Sequence, residues 1–153
     1  MKIQTSNSSV NFTIKKLLFI TVKGAFSEVS GTIDLNTEEM SNSKIDLAIS
    51  VTNLDTGNKK RNEHLQQDDF FKAANHPTIT FSSSEIVKKN EFYWAKGTLS
   101  VAGTTDTIEI PFQLKDNKVT GEFSLNRMDY KVGKVPAFVA AKMVNVTFKL
   151  DLV

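Results

Sequence analysis

Apolar and polar residues alternate with a period of two along most of this chain, the pattern of strands with one face in a core and one in water. Val10, Phe12 and Ile14 alternate with Asn11, Thr13 and Lys15, and Ile45, Leu47, Ile49 and Val51 alternate with residues such as Asp46 and Ser50. Shorter runs follow: Ile33 and Leu35, Ile79 and Phe81, then Ile108, Ile110, Phe112 and Leu114. Val119, Phe123 and Leu125 come next, and the chain closes on Val144, Val146, Phe148, Leu150 and Leu152. Turn-forming clusters separate the runs: SGT at 30–32, NTEEMSNS at 36–43, KKNE at 88–91, AGTT at 102–105 and KDNK at 115–118. Asp116 and Asn117 tolerate left-handed dihedrals, which predicts a tight hairpin there. Connections this short imply antiparallel neighbours. Roughly eight to nine such strands are too many for a small open sheet, so a closed barrel or a two-sheet sandwich is expected.

One long stretch, 54–78, departs from alternation. Thr56 or Asn58 is placed to start a helix that carries Arg61, His64, Leu65 and Asp68 along one face. Asp68 or Asp69 could cap a second short helical turn through DFFKAA, and Pro77 supplies a stop. The face is mixed rather than apolar, which predicts a helix at the end or mouth of the β structure.

Composition narrows the function classes. The chain has 153 residues, 40% hydrophobic and 24% charged, in the range of one ordinary globular domain over 1–153. Its formal charge of +2 supplies none of the strong field a dedicated nucleic-acid binder needs. Zero cysteines exclude a thiol nucleophile, disulfides and thiolate metal sites. The longest apolar run, LLFITV at 17–22, is far short of the ~18 residues of a membrane span. The N-terminal MKIQTSNSSVNF lacks the apolar run of a secretory signal. The expected location is therefore the cytoplasm for the chain as written, or the periplasm for a processed mature form. Eleven phenylalanines against one tryptophan and two tyrosines supply large apolar surface without polar handles, for a core or for an apolar cavity.

Catalytic and metal chemistry finds little footing. His64 and His76 with Glu63, Asp68 and Asp69 fit no zinc-ligand spacing, so no metal is expected. The serine cluster SSSE at 82–85 lies on a strand pattern without a nucleophile elbow, and no glycine-rich phosphate loop is present. Lys59, Lys60 and Arg61 form a positive cluster that reads either as solvated surface or as a cavity mouth meeting an anionic head group.

Taken in order, SSVNFTIKK, TVKGAFSEVSGTIDL, KKRNEHLQQDDFFKAANHPTITFSS, KGTLSVAGTTDTIEIPF, FSLNRMDYKVG and VNVTFKLDLV resemble the YceI family of bacterial polyisoprenoid-binding proteins. The most specific pieces are R-N-x-H-L, D-F-F, P-T-I-T-F and L-S-V-x-G-T-T. The resemblance implies an all-β fold: an eight-stranded antiparallel lipocalin-like β-barrel with a short helical insertion around residues 58–74. It also implies an apolar tunnel for an isoprenoid or other long-chain lipid, no catalytic residues and no cofactor, and it admits a homodimer. Arg61, His64 and Leu65 match its helix motif, Phe70 and Phe71 its aromatic pair, Pro77 and Phe81 the start of the next strand, and Arg127 the arginine of NRMDY. Lys16 stands where members often have histidine, and Tyr130 and Lys131 where they often have phenylalanine and glycine.

On this reading Phe12, Phe19, Val22, Phe26, Leu47, Leu65, Phe70, Phe71, Phe81, Trp94, Phe112, Phe123 and Phe148 are the candidates for tunnel or core. Lys59, Lys60, Arg61, His64 and Arg127 are candidates for head-group or structural polar roles. About ten carbons taken from water offer roughly 8 kcal/mol before ordering costs, so chain length should tune affinity more than head-group contacts do. A scaffold or stress-response module predicts a filled interior instead. An enzyme acting on an isoprenoid predicts titratable groups converging on the tunnel, with Glu85, Glu109, His64 and Arg127 as participants.

Overall fold

The alternating stretches fold into one antiparallel sheet that curls around its own inner face. The computed structural model describes residues 1–16, 20–133 and 140–153. Its strands are β1 (Ser9–Lys16), β2 (Ile20–Phe26), β3 (Val29–Asp34), β4 (Lys44–Ser50), β5 (Leu54–Asp55), β6 (Thr78–Lys89), β7 (Phe92–Val101), β8 (Thr104–Lys115), β9 (Lys118–Asn126) and β10 (Met143–Asp151). A helix, α1 (Lys59–Leu65), lies between β5 and β6. Strand order is β3-β4-β6-β7-β8-β9-β10-β1-β2-β5. Among the described residues no helix is long and apolar enough to cross a membrane.

The barrel expected from the sequence is present with ten strands rather than eight. Ser27 and Glu28 divide what would be one long strand into β2 and β3, and Leu54 and Asp55 add a short rung against Phe26 and Ala25. β3 and β5 are the two ends of the order, and a bare strand end invites pairing with other chains. The N-terminal residues cover the β3 end. Ile3 N donates to Gly31 O at 3.0 Å, Ile33 N donates to Met1 O at 2.9 Å, and Gln4 N donates to Asp151 O at 2.7 Å. Bridges from Lys2 to Thr32 and from Ile3 to Leu152 complete this seam, so β3 is joined to β10 around the curl.

The hairpins follow their turn chemistry. Asp116 and Asn117 take φ of 53° and 59°, and Lys115 pairs with Lys118 across them, as the sequence predicts. The serine cluster is absorbed by the sheet: the register shifts between Ser83 and Glu85, Ser83 Oγ accepts from Ile45 N at 2.8 Å, and Ser82 Oγ donates to Asp46 at 2.7 Å.

Inside, the two ends of the barrel differ. Towards the hairpin of β8 and β9, Tyr93 and Phe112 stack at 5.3 Å between ring centres. Ile33, Ile45, Phe81, Ile86, Val119 and Leu150 are buried in the same core. Towards the other end, inward-facing side chains leave space between them. Glycines seat the large rings that face inward. Phe12 lies opposite Gly24 and Phe148 opposite Gly121 in register, and each ring lies across its glycine. A Cβ on Gly121 would fall 2.2 Å from Phe148 Cζ and 2.6 Å from the Pro111 carbonyl oxygen. Gly121→Ala is therefore expected to lower stability by about 1–3 kcal/mol, read as a lower urea midpoint at unchanged slope.

Candidate functional site

The interlude between β5 and β6 is built by local polar bonds before it meets the barrel. Asn58 is the N-cap, its side chain accepting from Arg61 N at 3.0 Å. Asp55 Oδ1 accepts from Gly57 N at 2.8 Å, and this bond, with a weaker one from Asn62, holds the Asp55 carboxyl below the usual carboxylate range. Arg61 Nε donates to Thr56 Oγ1 at 2.9 Å and its Nη2 to the Thr56 carbonyl at 2.6 Å, so one guanidinium grips the residue that leads into the helix. After Leu65 the chain does not form the second helical turn expected through DFFKAA. Phe71 N donates back to Leu65 O at 2.9 Å, Ala73 N to Gln66 O at 2.9 Å, and Lys72 takes a left-handed φ of 53°. Asp69 accepts from or pairs with His64 Nε2 at 2.8 Å instead of capping a helix. This loop turns Phe70 and Phe71 towards the open end of the barrel.

There they meet a cavity of about 360 Å³. β1 contributes Val10, Phe12, Ile14 and Lys16, and β2 contributes Val22 and Phe26. Ile49, Ile79, Leu99 and Val101 line the side of β4, β6 and β7. β9 and β10 bring Phe123, Leu125, Val144 and Val146, and the interlude adds Leu65, Phe70 and Phe71. Phe26 joins the two sides, its ring 5.6 Å from Phe12 and 5.8 Å from Phe71. The titratable lining residues are Lys16, Arg61, His64 and Arg127, all basic or neutral, and no carboxylate-bearing residue lines the cavity among the described residues.

Of the sequence-predicted residues, the structure brings together Phe12, Val22, Phe26, Leu65, Phe70, Phe71, Phe123, Arg61, His64 and Arg127. Phe81 and Phe112 are buried in the filled end, and Leu47 packs against that core. Phe148 faces inward beside Phe123, ring centres 6.2 Å apart, but below the cavity, and half-buried Trp94 is likewise outside its lining. Lys59 and Lys60 are exposed on α1 and do not line it either. Phe19 lies outside the described residues. Glu85 and Glu109 are exposed, both facing Lys96 across the ladders of β6, β7 and β8. His76 packs its ring against Gly103 rather than joining His64, and among the described residues no cluster suited to a metal ion forms.

Sequence reasoning missed Ile49, Ile79, Leu99, Val101, Val132 and Ala140 as lining, and on β1, β9 and β10 it missed Val10, Ile14, Lys16, Leu125, Val144 and Val146. For the latter, strand parity carries the signal: they share a face with Phe12, Phe123 and Phe148.

Arg127 organises the rim. It opens a short 3-10 turn, Arg127–Tyr130, capped by the Asn126 side chain and ended by Lys131 at φ 56°. Only 5% of Arg127 is exposed. Its Nε donates to Ala141 O at 2.9 Å, Nη2 to Ala140 O at 2.9 Å, and Nη1 to Val132 O and Gly133 O at 3.0 Å each. Burial lowers its pKa from the ordinary guanidinium value, which still leaves it charged. Phe70 and the guanidinium both approach Gly133, so the clamp and the interlude meet over one residue. Burial also raises the neighbouring Tyr130 phenol to about 12, helped by the negative charges of Asp106 and Asp129.

A family model described as a YceI-like domain matches residues 1–152. The chain belongs to the YceI family. Relatives include a UPF0312 protein of Pectobacterium atrosepticum, 27% identical over 142 residues, covering 92% of this chain and 71% of the relative. The protein YceI of Escherichia coli is 29% identical over 105 residues, 69% of this chain and 55% of that one. Among solved structures, Burkholderia cenocepacia BcnA superposes with a TM-score of 0.90 at 23% identity over 99% of both chains. The Campylobacter jejuni YceI protein gives 0.78 at 29% identity, covering 91% of this chain and 88% of that one. A polyisoprenoid-binding domain from Saccharophagus degradans gives 0.73 at 18% identity, covering 97% and 95%.

In this YceI-family barrel, Arg127→Lys is expected to cost about 2–4 kcal/mol in urea unfolding, because an ammonium cannot span four carbonyls that the planar fork reaches together. Tyr130 gives a pH signature. The phenol ionises near 10 in the unfolded chain and near 12 in the folded one. Stability is thus full below pH 10 and declines by about 2–3 kcal/mol as pH rises from 10 to 12. Tyr130→Phe should flatten that part of the decline in stability against pH, compared with the parent.

Proposed function

We propose that this protein binds, stores or carries a long-chain isoprenoid or related amphiphilic lipid, its chain in the cavity and its head at the basic mouth, without transforming it. The carrying observation is the cavity of about 360 Å³, lined by apolar side chains with Lys16, Arg61, His64 and Arg127 as its titratable members. That volume lies at the lower end of the ~300–1,000 Å³ of ligand pockets. Each buried CH₂ contributes about 0.8 kcal/mol without demanding directional contacts, which suits a chain-like ligand and a lining with few polar atoms. The structural neighbour from Saccharophagus degradans, described as a polyisoprenoid-binding domain, supports the same ligand class. A non-catalytic role is supported by the placement of Glu85 and Glu109 on the outer face, away from any bound chain. A scaffold with a solid interior would leave no such space.

Mass spectrometry of an organic extract of the purified protein is expected to show a long-chain lipid. Val146→Phe, which fills the cavity floor, should reduce the extracted lipid several-fold while leaving thermal stability intact or higher. Reproducible absence of lipid from the parent, or equal lipid in Val146→Phe, would overturn the reading.

A further inference from the structure

The cavity opens at an end of the barrel whose outer surface mixes exposed apolar residues with lysines. Ile20, Met128 and Met143 are 52%, 42% and 53% exposed. Backbone bonds place them on one rim. Ile20 pairs with Lys16, and Lys16 bridges to Ala140. Ala141 N donates to Lys15 O at 2.8 Å, and Arg127 N to Lys142 O at 2.8 Å. Met143 pairs with Asn126, one residue before Arg127, and Met128 follows it. Lys15, Lys16, Lys131 and Lys142 are exposed on this rim, and Lys59 and Lys60 on α1, the helix whose Arg61 and His64 line the same mouth. The acidic residues of this end include Asp106 and Asp129 beside Tyr130, and Glu63 and Asp68 on the interlude, with Asp69 held by His64.

Exposed apolar side chains set among lysines are the chemistry of a bilayer surface bearing anionic head groups: the lysines meet the charge and their stems snorkel while the apolar groups enter the interface. The mouth lies on the same end, and a long-chain lipid has to leave one bilayer and enter another through such an opening. We infer that this end of the barrel docks on an anionic lipid bilayer, with the mouth against the head groups. The inference rests on the lipid-binding reading, and names the partner from which that site is filled.

Vesicle flotation of the full chain tests it, using phosphatidylcholine vesicles with and without phosphatidylglycerol. The parent should float with the anionic vesicles at low salt, much less at high salt, and not with the neutral ones. Reversal of two lysines that do not line the cavity, Lys15→Glu with Lys142→Glu, should lower the bound fraction at least about tenfold, given roughly a fivefold factor per lysine near an anionic surface. Its extracted lipid and thermal midpoint should match the parent. Ile20→Ser with Met143→Ser should lower the binding that survives at high salt. Failure of the parent to float, equal flotation with neutral vesicles, or an unaffected charge-reversal variant would overturn the docking. So would a change of sedimentation coefficient in either variant without vesicles, which would mean that a second copy covers this face. An extract free of lipid from a protein that floats would overturn the carrier reading instead, so the two failures are separable.

Discussion

The stacked rings of Tyr93 and Phe112 fill one end of the barrel, whereas at the other end the aromatic rings line a cavity instead of filling it. A barrel of about eight strands has an interior just wide enough to be filled by its own side chains or to hold one small ligand. Near the hairpin of β8 and β9, aromatic and branched residues fill it. Towards the mouth, Val10, Ile14, Val22, Leu125, Val144 and Val146 line the cavity with shorter side chains, beside the rings of Phe12, Phe26 and Phe123. Phe12 and Phe148 lie flat over glycines on neighbouring strands, so two large rings narrow the interior less than their volume would suggest.

An opening of this kind exposes backbone as well as apolar surface, and Arg127 deals with the backbone. Its guanidinium collects the carbonyls of Val132, Gly133, Ala140 and Ala141, drawing both flanks of the 134–139 connection onto the turn before β10. Burying a cation is unfavourable unless its donors are satisfied, and a planar fork bonded to several carbonyls satisfies them. Arg61 plays a smaller version of this role on Thr56. Both cations border the cavity while bonded to the chain, so the field at the mouth is held in place by the fold itself.

The barrel and its turns were legible because they rest on local rules: alternation marks the strands, and Asp116-Asn117 supplies the left-handed pair its hairpin requires. Asn58 as helix cap was among the two starts the sequence offered. The second helical turn through DFFKAA was not formed, because the backbone bonds from Phe71 N to Leu65 O and from Ala73 N to Gln66 O close a wide loop over the end of α1 in place of a helical ladder, with His64 engaging Asp69. The break between β2 and β3 falls at Ser27 and Glu28, whereas the SGT cluster at 30–32, read from the sequence as a turn, lies inside β3, where its residues pair with β4.

The sequence by itself determined that strands alternate inward and outward, that they pair through short turns, and that a polar helical interlude interrupts them, since each of these is set by neighbours along the chain. It did not decide which phenylalanines face empty space. Phe12 and Phe123 line the cavity while Phe81 and Phe112 pack the filled end, although all four sit in the same alternating pattern. That distinction depends on what lies across the barrel, a non-local property of how far facing side chains reach, and only the closed tertiary structure sets it.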